Sequence, residues 1–378
     1  MKRSTDRILT THVGSLPRPD DLRALILQKQ QGQPVDESAF AARVKTAVAE
    51  TVKQQAEAGI DIVADGEMGR IGFIPYVNER LAGIEPSASA ENANYWGQSR
   101  EYRAFPEFYA WTASLPGTAG QTGRTRWVCT GPVSYKGMDA LQRDIANLKA
   151  ALAVQRYEEA FMPAVSPSNL ANWNRNEHYK TEEEYLYALA EALREEYRAI
   201  IEAGLILQVD DPLLASYYVM HPEASVELLN HALRGIPAEQ VRYHTCYSIN
   251  MGPRVHDMEL KHIVDIMLGV RAGAYSFEAA NPRHEHEWKV WQEVTLPEGK
   301  SVIPGVITHS SNIVEHPEVI AQRIGRFAQA VGCENVIAGA DCGFASFAST
   351  CEVHPSVVWI KLQALADGAR LASRELWR

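Results

Sequence analysis

The stretch TEEEYLYALAEALREEYRAIIEAGLILQVDD (residues 181–211) decides the fold. Thr181 and Glu184 form a capping box that starts a helix. Leu186, Leu189, Leu193, Ile200 and Ile201 give that helix one apolar stripe, and Gly204 stops it. Leu205 to Val209 then read as a buried strand, ending on the acids Asp210 and Asp211. A helix delivering the chain into a buried strand that ends in polar residues is the unit of a parallel α/β protein.

The same unit recurs outward from this stretch. Phe40, Val44, Val48 and Val52 mark a helix from Asp36 to Ala58, closed by Gly59, which runs straight into Ile60–Asp65. Further strand candidates are 8–15, 127–134, 160–167, 241–248, 274–281, 302–309 and 334–342. Eight strands close a (β/α)8 TIM barrel, so one of these nine is surplus, and AFMPAVSP (160–167) is expected to be the insert. An open Rossmann-type sheet is the rival, but no G-x-G-x-x-G follows the first strand. The segment 85–126 breaks the rhythm with Tyr95, Trp96, Tyr102, Phe105, Phe108, Tyr109 and Trp111. It is expected to be an excursion over the barrel mouth, either a hairpin lid or a flap packed by its own aromatics. With no repeat or linker, residues 1–378 are expected to form one catalytic barrel domain.

Composition narrows the function. The net charge of −10 repels phosphate backbones and anionic lipid, so neither nucleic acid nor membrane is an expected partner. No apolar run nears the roughly 20 residues that span a bilayer, and the N-terminus has no apolar signal region, so a cytoplasmic setting is expected. Five cysteines in such a setting read as buried thiols, metal ligands or nucleophiles. Self-association is left open.

The chemistry-bearing residues fall at strand ends. His12 and Ser15, Asp65 and Glu67, Asp210 and Asp211, His244 and Cys246, Glu278, His309, and Asp341 and Cys342 all lie there. In a barrel those ends converge on one face. His244-Thr-Cys246 places both side chains on one side of a strand, within reach of one ion. Alone, such a pair is more often a buried histidine and a buried thiol. Cys342 ends another strand, and Glu278 sits in a strand of Tyr, Phe, Ser and Ala, where an uncompensated carboxylate is costly. Two thiols, an imidazole and a carboxylate form a set that favours Zn²⁺ over Mg²⁺ or Ca²⁺. His284-Glu-His286-Glu287 lacks the second histidine of H-E-x-x-H, because Trp288 stands there, and reads as a polar helix start.

THVGSLPRP (11–19), DIVADGEM (61–68), TGPVSY (130–135), LQVDDP (207–212), HTCY (244–247), SFEAANPRH (276–284), GVITHSSN (305–312) and GADCGF (339–344) run through most of the chain. Together they resemble the catalytic barrel of the cobalamin-independent methionine synthase family, in the uroporphyrinogen decarboxylase-like group. PRHEHEWKVWQEVTLPEG (282–299) and ENVIAGADCG (334–343) look like its single-barrel members, including the epoxyalkane:coenzyme M transferases. The resemblance implies zinc on His244, Cys246, Glu278 and Cys342. It also implies an amino-acid thiol held by Ser15, Glu67 and Asp210, with lesser parts for His12 and Asp211, and proton donation by His309. The implied reaction is transfer of a methyl group, from folate or another alkyl donor, to zinc-bound homocysteine. Addition of a thiol to an epoxide is the alternative, and a barrel decarboxylase or binding protein with structural zinc is a third.

Overall fold

The computed structural model of the protein describes residues 1–87, 99–114, 127–212, 214, 222–247, 252–350 and 353–378. Tyr95, Trp96 and Cys351 lie outside the described residues. Eight parallel strands form the central sheet: β1 (Leu9–Thr10), β2 (Ile62–Val63), β3 (Glu159–Val165), β4 (Ile206–Asp210), β5 (Val241–His244), β6 (Ala274–Phe277), β7 (Ser301–Ile307) and β8 (Ile337–Ala340). Each pairs with the next in sequence, β8 pairs with β1, and a bridge from Thr11 to Ile62 closes the ring between β1 and β2. The protein is a (β/α)8 barrel.

The ring includes the stretch 160–167, which the sequence reading set aside, and excludes 127–134. The reason is burial. β3 is buried along nearly its whole length, as a barrel strand covered on both faces must be. Residues Trp127–Tyr135 alternate toward solvent and pair antiparallel with Leu81–Pro86, outside the barrel. These two strands bracket the excursion as the arms of a hairpin. The excursion carries helices Arg100–Ala104 and Pro106–Ser114.

Local signals in the sequence hold. Helix Glu37–Ala58 is capped by the Asp36 carboxylate and ends at Gly59, whose φ of 84° suits a residue without Cβ. Helix Glu182–Glu202 starts where Glu184 N–H donates to Thr181 Oγ1 at 3.1 Å. Inside the ring, Leu9, Ile62, Phe161, Ile206, Ala274, Ile303 and Ile337 form one apolar cluster. Burying each of the larger side chains stabilises the fold by roughly 1.5–3 kcal/mol. The Arg242 guanidinium lies 3.9 Å over the Phe161 ring and donates to Thr11 Oγ1 at 2.9 Å. The barrel is therefore filled, and its chemistry sits above this plug at the C-terminal ends of the strands. A separate cleft of about 320 Å³, lined by Lys149, Tyr157, Glu158 and Ile206, opens at the opposite ends of β3 and β4 and holds none of the candidate residues. No helix among the described residues is long and apolar enough to cross a membrane.

Candidate metal and substrate site

β5 ends on His244, and Cys246 follows two residues later, on the same side of the chain. β8 ends on Ala340, so Asp341 and Cys342 emerge from its tip. These two strand ends meet: ligand atoms of His244, Cys246 and Cys342 all lie within 4.8 Å of one another, and all three residues are buried. The two sulfurs are 3.3 Å apart. His244 Nδ1 lies 3.0 Å from Ser276 Oγ on β6, and its buried Nε2 has no partner among the described residues. With Nδ1–H donating to Ser276, the Nε2 lone pair is left for ligation.

The electrostatics of this cluster call for a cation. Burial holds the His244 imidazole near 3, well below its ordinary value, so it is neutral at physiological pH. The neighbouring Cys246 sulfur, burial and the Glu278 charge together push the Cys342 thiol well up. Two adjacent thiols beside a carboxylate cannot all ionise without a positive charge between them. A neutral imidazole with an orphaned nitrogen and two thiols is a donor set that zinc fits.

Glu278 falls into an adjoining group. Its carboxylate, His309 and Asp341 offer atoms within 4.8 Å of one another. Glu278 Oε1 accepts from Tyr247 N–H at 2.8 Å, and Oε2 accepts from Arg254 Nη1 at 2.9 Å and Asn281 Nδ2 at 3.0 Å. Burial opposes ionisation of Glu278, but Arg254, His309 and these hydrogen bonds outweigh it and hold the carboxyl below its usual range. Asp341 Oδ1 accepts from Ala279 and Ala280 N–H, both at 2.8 Å. Burial first, then the Glu278 charge, raise its carboxyl to about 7. Gly305 is glycine because a Cβ there would collide with Asp341 Oδ1. His309 follows β7 and is fully buried.

The carboxylates read as substrate contacts gather across the barrel mouth. Glu67 has φ of 57°, in the left-handed region, an unusual setting for a residue with a Cβ. Its Oε2 is buried without a hydrogen-bond partner among the described residues. Asp210, at the tip of β4, accepts from Gln208 Nε2 at 2.7 Å. Burial, and next the charge of Glu67, drive the Asp210 carboxyl well up. Ser15 Oγ lies against Gly343, where a Cβ would strike it, so it adjoins the Cys342 loop. Asp211 accepts from Tyr243 OH at 3.2 Å. His12 has both ring nitrogens engaged within the fold: Nδ1 accepts from Gly14 N–H at 3.1 Å, and Nε2 donates to Gln55 Oε1 at 2.7 Å. Its place is that of a strut between β1 and helix Glu37–Ala58. Ser276, Arg254 and Asn281 were not singled out by the sequence reading. Period-2 spacing from Glu278 points to Ser276, whereas nothing in the sequence marks Arg254.

The description "Cobalamin-independent synthase, Catalytic domain" matches this chain over residues 8–107 and 132–358. The chain belongs to that family. As a member of this catalytic family it is an enzyme. Two similar members are named methionine synthase. That of Thermococcus kodakarensis is 24% identical, with 98% of this chain and 94% of the relative covered. That of Saccharolobus islandicus is 24% identical, with 98% and 96% covered. A B12-independent methionine synthase from Shewanella, solved with selenomethionine, superposes with a TM-score of 0.77 at 20% identity, covering 98% of this chain and 99% of that one. That likeness supports the barrel fold.

Proposed function

We propose that this enzyme transfers a methyl group to the thiol of homocysteine, with zinc held by His244, Cys246, Cys342 and Glu278. The observation that carries the reading is the pairing of a thiol and imidazole cluster with two buried carboxyls, Glu67 and Asp210, that burial holds above their usual range on the same barrel face. Zinc held by these residues would lower the pKa of a coordinated substrate thiol, which would release its proton to solvent and leave the sulfur nucleophilic near neutral pH. Glu67 and Asp210 would grip an α-ammonium, whose positive charge relieves their burial and mutual repulsion. Ser15 Oγ, beside the Cys342 loop, would hydrogen-bond the same amino acid. His309 would deliver a proton to the departing group of the donor as the methyl leaves. A donor such as a methylated folate fits that scheme. The family match and the relatives' names support the reaction, and those relatives have nearly the same length as this chain. A thiol pair 3.3 Å apart stays reduced in a cytoplasmic setting.

The carboxylates favour an amino acid over a sulfonate acceptor such as coenzyme M, which wants arginine or lysine there. The test is zinc content and methyl transfer by purified protein, comparing homocysteine with coenzyme M. Zinc near one per chain and turnover with homocysteine alone are expected. Protein without zinc, or turnover with coenzyme M alone, overturns the reading.

A further inference from the structure

Two residues other than glycine have a positive φ among the described residues, Glu67 and Arg254, both at 57°. Backbone strain of this kind persists where the surroundings impose it. Glu67 is the one assigned above to the substrate, whereas the acidic partners of Arg254 lie at and around Glu278. It pairs with Glu278 Oε2 at 2.9 Å and lies 3.7 Å from Asp257 Oδ2. Asp257 in turn lies 3.2 Å from His284 Nε2, and His284 Nδ1 lies 2.8 Å from Glu287 Oε2. The His284 ring stacks on Tyr247, next to Cys246, with centroids 3.7 Å apart. On its other side the Arg254 turn is held by the excursion: Glu101 accepts from Val255 N–H at 3.3 Å and His256 N–H at 3.1 Å. A strained arginine is thus fixed from two directions against one oxygen of Glu278.

We infer that Arg254 is a positioning residue that shares the Glu278 carboxylate with the metal and thereby sets how readily that carboxylate gives way to an incoming thiol. The inference rests on the zinc reading above. A bidentate-capable guanidinium draws negative charge from the carboxylate oxygen it binds. The oxygen left for a metal is then a weaker donor than either cysteine sulfur. Both Glu278 oxygens already have partners inside the protein, so leaving the metal costs this side chain little. His244 Nε2 has no such alternative among the described residues.

The test counts sulfur ligands by zinc-edge X-ray absorption on zinc-loaded wild type, Arg254→Met and Arg254→Lys, titrated with L-homocysteine. Wild type is expected to go from two sulfurs to three. In Arg254→Met the half-saturating homocysteine concentration is expected to rise about 10- to 100-fold, the usual reach of a partner behind a metal ligand. Arg254→Lys, which keeps the charge without the fork, is expected between them and decides the matter if the methionine variant does not fold. Equal titrations in all three overturn the inference and leave the zinc reading intact. Loss of zinc from a folded variant also overturns it, because Arg254 would then support Glu278 as a ligand. If wild type gains no third sulfur, the catalytic zinc reading itself falls.

Discussion

The two groups at the barrel mouth have similar residues and opposite electrostatic needs. Glu278 and one oxygen of Asp341 are answered from within: arginine, asparagine and backbone N–H groups donate to them. His244, Cys246 and Cys342 are not, because an orphaned imidazole nitrogen and two crowded thiols face each other with no positive charge between them. A carboxylate answered inside the protein, such as Glu278, keeps its shape whether or not a ligand is bound. Internal deficit marks a place kept for a ligand. The Glu67 and Asp210 pair repeats the deficit on the substrate side.

This contrast can be broken experimentally. Removing a thiol should have the largest effect. Zinc bound with about 10–16 kcal/mol over four ligands loses up to about 4 kcal/mol with one of them, near 10³-fold in affinity. Cys342→Ser should therefore lose zinc to a chelator that leaves wild type loaded, and its methyl transfer should fall to background. His309→Asn should lower kcat by about 100-fold, the scale of a lost general acid, while zinc content by atomic absorption stays at the wild-type level. If His309→Asn also loses zinc, the two groups are not separate.

Asp210→Asn sharpens the comparison because two of its effects have opposite signs. Homocysteine KM should rise roughly 10- to 100-fold with the lost charge-assisted hydrogen bond. The ligand-free protein should meanwhile gain stability. The Asp210 carboxyl is raised in the folded state, so its contribution is fully favourable at low pH and is lost as pH rises through the folded value. The gain in Tm should thus be about 2 °C or more near pH 8 and vanish by about pH 4, followed by calorimetry. A flat difference across that range would show that Asp210 is not held under repulsion. The smallest effect is expected from Ser276→Ala, which removes the oxygen 3.0 Å from His244 Nδ1. Zinc affinity should drop about tenfold, measured by competition with a chromogenic chelator.

Much of this was legible in the sequence, and the exceptions have physical causes. Capping at Thr181, the stop at Gly59 and the strand-end positions of His244, Glu278 and Cys342 are local properties, set by hydrogen bonding and side-chain period within a few residues. So was the barrel, since alternating helices and buried strands leave few closed parallel arrangements. The choice between 127–134 and 160–167 as the surplus strand was not local. It depended on which stretch is covered on both faces, and only the packed helices supply that cover. The sequence likewise named Glu278 alongside the thiols without its company. That Arg254, 24 residues earlier, claims one of its oxygens depends on a left-handed turn held by Glu101 from the excursion. By itself, then, the sequence determined the elements, their order and the residues that carry chemistry, because propensity and period act at short range. The tertiary structure decided which charges are answered inside the protein and which are left for a ligand, because that balance is struck among side chains far apart in the chain.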